Sequence, residues 1–230
     1  MGISGGPEIV REDVSLVIDA GDRTSFVTGS TVVRDLSSNN IVGSLQNNPG
    51  FTTDNRGAMI FNGSNTSMTM PTSTQLGNSN YSIEFALLVS ATSLNYGIMI
   101  WGSSPFNTGG QGIEMRFQTN QFEYTLNDGT GTGTRLQHTF SNIADGRYRH
   151  FILTQQRQGT AILYVDGRQV ATQNYSGEST FNNINNILLG RGNDGFLNGR
   201  IANFRIYTRA LSPREVRQNY NSIRSRFNLS

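Results

Sequence analysis

The chain has 230 residues, 35% of them hydrophobic and 15% charged, and its 18 cationic and 16 anionic side chains leave a formal charge of only +2. That length is ample for one large β-domain and does not force two; the near-balanced charge, with no recognition helix or aromatic RNA platform, argues against nucleic acid as a partner. The absence of cysteine excludes a disulfide framework and a thiolate metal site, and no apolar run suggests a signal peptide or a membrane span.

Residues 1–12 open Gly-rich and polar and read as a flexible arm, with 13–230 as a single domain. Ile3 and Ile9 are apolar side chains in that arm, and such a segment can add to a partner's sheet edge or lie in a groove. "VSLVIDA" (14–20) is the first strand, and "GAMIFNGSNTSMTMP" (57–71) reads as strand, Asn62-Gly63 turn, strand. In "YSIEFALLVS" (81–90), Ile83, Phe85 and Leu87 alternate against Ser82, Glu84 and Ala86. That period of two is a half-buried strand, with Glu84 on its exposed side. "YGIMIWG" (96–102) ends at Trp101, the sole tryptophan, and enters the loop 102–112. Two readings stand for Trp101: core packing, or stacking on a sugar at a sandwich rim. Phe106 sits in that loop with no strand to bury it, which marks a contact to a ligand or a neighbouring subunit, and Asn107 is its polar companion.

"GIEMRFQTNQFEYTL" (112–126) splits at Thr119-Asn120 into a hairpin, with Ile113, Met115 and Phe117 followed by Phe122, Tyr124 and Leu126. Residues 148–173 form a three-strand meander; Gly159 marks its first turn and Asp166-Gly167 its second, a strong two-residue hairpin signal. "INNILLG" (184–190) and "GRIANFRIY" (199–207) complete the strands. A helix over about 213–224 ends the pattern: Ser212 is the N-cap, Pro213 takes the first helical position, and Glu215 closes a capping box. Its apolar stripe is Val216, Tyr220, Ile223 and Phe227. A dozen or so short strands with regular turns mean an all-β sandwich or barrel.

Three blocks narrow this further. "RYRHFILTQQRQGTAILYVDGRQV" and "NILLGRGNDGFLNGRIANFRIYTRALSPREV" resemble the central strands and closing segment of laminin-G-like domains. "LVIDAGDRTSF", "VVRDLSSNN" and "MIFNGSNTSMTM" resemble their opening third. The resemblance covers almost all of 14–227 and implies a concanavalin A-like jelly roll, two antiparallel sheets packed as a sandwich, with the short C-terminal helix. The opening "LVIDAGDRTSF" with the ending "RQNYNSIRSRF" is similar to laminin-G-like proteins of tailed phages, many of them virion structural components. It implies a virion localisation, other virion proteins as partners, and a homo-oligomer in the assembly.

The chemistry is sparse. Hydrolases of this fold need an acid and a nucleophile on one face; Glu84 and Glu114 are single acids on separate strands and read as exposed, and His138 and His150 stand beside no Gly-flanked serine. No catalytic residue is assigned. Calcium is the one metal to weigh, since the resemblance implies oxygen sites of Asp and Asn; Asp19, Asp128 and Asp194 are its candidates, and each also reads as ordinary turn chemistry. Asn193 and Asp194 join Trp101, Phe106 and Asn107 as the candidate glycan-binding set. All 18 cationic residues are arginine, eight of them between Arg191 and Arg226, so Arg214, Arg217 and Arg224 are candidates for docking a partner. The expectation is a non-enzymatic virion module, a capsid decoration or fibre-like element; a free-standing lectin is the alternative, and a glycoside hydrolase ranks lower.

Overall fold

Alternating apolar side chains joined by short turns give sixteen strands and one helix, numbered here in chain order, in a computed structural model that describes residues 8–71, 76–91, 96–103, 105, 107–179 and 186–229. The first sheet runs, in spatial order, β14 (Arg168–Asn174), β13 (Thr160–Val165), β12 (Tyr148–Gln155), β7 (Tyr81–Val89), β16 (Asn198–Tyr207), β5 (Ala58–Asn62) and β4 (Gly50–Thr52). β1 (Val14–Asp19) shares one edge of β16 with β5: Arg200 faces Ile60, and further along Phe204 faces Ile18. The second sheet runs β11 (Thr134–Thr139), β10 (Gln121–Asp128), β9 (Gln111–Gln118), β8 (Tyr96–Gly102), β15 (Ile187–Leu189), β6 (Ser67–Met70), β3 (Val42–Gln46) and β2 (Val32–Arg34). All these strand pairings are antiparallel, as the jelly-roll reading requires.

The two sheets enclose one core. Ile83, Phe85 and Leu87 of β7 point into it, as do Phe117, Phe122, Trp101 and Phe204. Phe151 stacks on Phe85 at 5.1 Å and on Phe122 at 5.6 Å, tying the two sheets together. Each such ring contributes about 1.5–3 kcal/mol by leaving water.

A second apolar layer lies on the outer face of the first sheet. Helix α1 (Pro213–Phe227) sets Ile223 and Phe227 on Ala58, Ala86, Ala202, Leu88 and Tyr148. Val216 and Leu211 pack on Ile152, Tyr164 and Tyr207. Alanines on three adjacent strands let the helix approach closely. Every residue of β7 is therefore buried, on both faces of the sheet. This corrects the expectation of a half-buried strand with an exposed Glu84.

The start of the chain is drawn into the same layer. Glu8 accepts a bond from Gln218 through its carbonyl, Val10 donates its N–H to Asn219 Oδ1 at 2.8 Å, and Ile9 packs beside the Ile223 cluster. Of the segment read as an arm, residues 8–10 are thus held on α1, and Ile3 lies outside the described residues. Four strands had weak signals: β2, β3 and β4 are short, and β11 carries only Leu136 into the core.

Helix α1 begins as its sequence dictates. Ser212 Oγ accepts from the Glu215 N–H, and Glu215 Oε2 accepts the Ser212 N–H at 2.8 Å. The helix runs to Phe227, three residues past the predicted end, and stops at Asn228 in a left-handed conformation. Ser212→Ala with Glu215→Ala is expected to weaken the first turn by about 0.5–2 kcal/mol. Faster amide exchange over residues 213–223 is the readout, and unchanged exchange would refute the cap's role.

Candidate functional site

The hairpin β9–β10 turns Ile113, Met115, Phe117, Phe122, Tyr124 and Leu126 into the core. Alternation then sends Glu114, Arg116, Glu123, Thr125 and Asn127 to the outer face of the second sheet. Thr119, at φ 55, makes the two-residue turn that fixes the register, so Arg116 faces Glu123 across the strands. Arg116 Nε reaches Glu123 Oε2 at 2.7 Å, and its Nη1 reaches Asp194 Oδ2 at 2.7 Å. Gln137 of β11 donates to the other Glu123 oxygen at 2.5 Å.

Asp194 arrives on a loop that crosses this face. Residues 190–197 leave β15, and their backbone bonds to β8: Gly190 donates to Ile98, and Gly97 donates to Gly195. The crossing is close. A Cβ on Gly97 would lie 1.7 Å from the Gly192 nitrogen, and one on Gly192 would lie 2.2 Å from Glu114 Oε1. The loop is pinned by two side chains from the sheet: Asn193 donates its N–H to Glu114 Oε1 at 2.8 Å, and Asp194 holds Arg116. Asn193 and Asp194 are themselves exposed, joined by a 3.1 Å bond from Asn193 Nδ2 to Asp194 Oδ1.

Four residues along β10 from Glu123, the buried Asn127 amide donates to the carbonyls of Pro105, Asn107 and Gly131. It fastens Pro105 and Asn107 to this face. Exposed amides and a carboxylate are thus presented on loops whose bases are held by buried polar side chains.

Glu114 is fully buried, which corrects its reading as an exposed strand residue. Burial pushes its carboxyl up to about 7, with Asp194 and Glu123 adding to the rise and the Asn193 N–H and Arg116 opposing it. Its Oε2 has no hydrogen-bond partner, so only Oε1 is held, by the Asn193 N–H. Glu114 and Glu123 share one face, yet they are 0% and 1% exposed, so no substrate reaches them in this arrangement.

A second polar cluster lies beneath α1. Glu84 Oε1 meets Arg205 Nη1 at 2.9 Å and His150 Nε2 at 2.9 Å; Oε2 accepts from Tyr207 at 3.0 Å and Asn219 at 2.8 Å. Burial alone would raise the Glu84 carboxyl; Arg205, the His150 bond and the Tyr207 bond outweigh it and hold it at about 2. These groups are sealed from solvent and join helix to sheet.

The loop candidates fare unequally. Trp101 is fully buried in the core, which removes it as a sugar platform. Phe106 lies outside the described residues. Asn107, Asn193 and Asp194 are exposed and stand on loops flanking one face. The three calcium candidates are apart and engaged: Asp19 binds Arg226 at 2.7 Å, Asp128 accepts from Thr130 and Ser179, and Asp194 holds Arg116. Among the described residues, no three His, Asp or Glu side chains group to hold a metal ion. Arg214, Arg217 and Arg224 are exposed on α1.

The residues that sequence reading missed are Arg116, Glu123 and Gln137. Alternation and the Thr119-Asn120 turn carried enough information to pair Arg116 with Glu123. Nothing local announced that residues 191–196 would fold over them.

Solved structures with this fold include three binding domains. That of botulinum neurotoxin serotype G has a TM-score of 0.71 at 20% identity, with 89% of this chain and 50% of that one covered. That of paraclostridial mosquitocidal protein 1 has a TM-score of 0.73 at 19% identity, covering 92% and 52%. That of botulinum neurotoxin DC, in complex with SialylT, has a TM-score of 0.74 at 14% identity, covering 93% and 52%. The chain spans about half the length of each, and at these identities the likeness is one of fold. No curated protein sequence is significantly similar to the chain. The family model described as the concanavalin A-like lectin/glucanases superfamily matches residues 62–217, more than half of the chain and including the 191–196 loop and the strands beneath it, and to that superfamily the chain belongs.

Proposed function

We propose that the chain is a non-catalytic carbohydrate-binding module acting in adhesion. The observation that carries this reading is the pairing of exposed Asn193 and Asp194 on a loop pinned by Glu114 and Arg116. Sugars are recognised by planar polar side chains held in fixed positions, and a loop fixed in advance loses little freedom on binding. Of the strand acids, Glu84 and Glu123 are spent on protein donors and Glu114 is sealed, which supports the non-catalytic reading. A neighbour of the same fold, the binding domain of botulinum neurotoxin DC, is solved in complex with SialylT.

The module's setting in this proposal is a tailed-phage virion, as a capsid decoration or fibre-like element docked on other virion proteins and repeated as a homo-oligomer. The sequence blocks behind that resemblance lie at opposite ends of the chain, and Asp19 of the first meets Arg226 of the last at 2.7 Å. They therefore form one structural unit. Mass spectrometry of purified virions tests the setting; absence of the protein from the particles would overturn it.

A glycan array tests the binding. Wild-type protein is expected to retain at least one glycan class, and Asn193→Ala with Asp194→Ala to lose it by roughly tenfold or more. No reducing ends are expected from the bound glycan. Unaltered binding by the double variant would remove this loop from the site, and steady hydrolysis would overturn the non-catalytic reading.

A further inference from the structure

The turn Asp166-Gly167 sits against helix α1, and arginines gather around it. Both turn residues have positive φ, 49 and 72, and a Cβ on Gly167 would lie 2.9 Å from the Tyr220 ring. The contact fixes Arg168, the next residue, beside the helix. Arg168, Arg217 and Arg224 line one open cleft of about 370 Å³ with Tyr220 and Asn221. All three arginines are exposed, and among the described residues none of them forms an ion pair. The one carboxylate in the lining, Asp166, turns an oxygen inward to the His150 N–H at 2.8 Å. A neighbouring groove of about 760 Å³ shares Asp166 and adds Arg147, Arg149 and Arg200. Of these, Arg149 and Arg200 are neutralised by Asp145 and Asp54, while Arg147 makes no ion pair among the described residues.

We infer that this cleft is a subsite for the acid groups of a carboxylated polysaccharide, an inference that rests on the carbohydrate-binding reading and names its ligand class. A guanidinium matches a carboxylate with two parallel hydrogen bonds, which a lysine cannot reproduce. Arg217 and Arg224 lie seven residues apart on one helix, about 10 Å along its axis. That spacing addresses two acid groups in a chain rather than one small anion, and the Asn221 amide stands between them for a sugar hydroxyl. A lipid surface fits less well. The apolar stripe of α1 is buried, and among the described residues the exposed large hydrophobic side chains Val27, Leu36 and Val42 line neither cleft, so the surface beside the arginines offers little for insertion into a bilayer.

The test is titration calorimetry of the whole chain at low ionic strength with polygalacturonate, its methyl-esterified form and dextran. Polygalacturonate is expected to bind, its ester and dextran to bind much less, and added salt to weaken the complex. Arg217→Gln with Arg224→Gln is expected to cost roughly tenfold or more in affinity, and Arg34→Gln, a distant exposed arginine, to cost nothing. Circular dichroism checks that the helix persists. If the chain binds neutral glycans and the arginine variants change nothing, the acid subsite is wrong while the carbohydrate-binding reading stands. If no carbohydrate binds, both fall; preferential binding to duplex DNA or to vesicles of anionic lipid would likewise overturn the subsite.

Discussion

Glu84→Ala is expected to destabilise the protein by about 3–5 kcal/mol, the usual cost of removing one member of a buried charge network. The variant would leave the Arg205 guanidinium, 7% exposed, without its buried carboxylate, and His150 and Asn219 would each lose an acceptor. Because Asn219 belongs to α1 and also accepts from the Val10 N–H, the loss is expected to appear first as release of the helix and of residues 8–13. Urea unfolding at pH 7, with amide exchange to locate the opening, gives the measurement. A change below about 1 kcal/mol would show that the network is dispensable. Glu84 also shapes the acid limb. Its folded-state value of about 2 lies below the ordinary 4.5, so its contribution is full above 4.5 and is lost as pH falls toward 2. Glu84→Gln should flatten stability over that window and leave the profile at neutral pH unsloped by this group.

The same residue marks where sequence reading reaches its limit. Strand positions were legible because period-two alternation is local, and turns such as Asp166-Gly167 are written in two adjacent residues. The helix was legible because Ser212, Pro213 and Glu215 announce its start. What these local signals do not carry is which sheet face the helix covers. Ser82, Glu84 and Ala86 look like a solvent face until α1 is laid over them. The clue was present in Ala58, Ala86 and Ala202, small residues that become meaningful only once β5, β7 and β16 are known to be neighbours. The partners of Glu84 lie 66 to 135 residues away in the chain, beyond any window of periodicity. At the candidate site the division is similar. Arg116 and Glu123 follow from one hairpin, whereas Asp194 comes from 78 residues beyond Arg116 and Asn193 from 79 beyond Glu114. Trp101 shows the opposite failure: a strand end beside a polar loop looks like a rim, but the indole is directed inward onto the core.

Glu114→Gln is expected to remove a pH dependence that the wild-type protein carries between about pH 4.5 and 7. The carboxyl is buried beneath the 191–196 loop, with Glu123 and Asp194 already sharing the single guanidinium of Arg116. Ionising Glu114 therefore adds a third negative charge to a cluster with one positive one, and burial lifts its folded-state value from 4.5 to about 7. The sign follows from linkage. The folded state holds this proton more tightly than the unfolded state, so the stabilisation is complete below pH 4.5 and declines as pH rises through 7. A shift of that size corresponds to about 3 kcal/mol in total, at 1.36 kcal/mol per pH unit. Glutamine keeps an oxygen for the Asn193 N–H and cannot ionise. Its variant should match or fall slightly below wild type at pH 5 and exceed it at pH 8, with a flat profile between. The loop should respond with the same midpoint: the Asn193 N–H bond favours the ionised carboxylate, but ionised Glu114 repels Asp194 on the same loop, so the protection of the amides of residues 192–195, taken relative to their intrinsic exchange at each pH, is expected to fall above pH 7 in the wild type alone. Superimposable stability profiles for the two proteins from pH 5 to 8 would show that Glu114 does not titrate in this range, and that the loop over the second sheet is held independently of it.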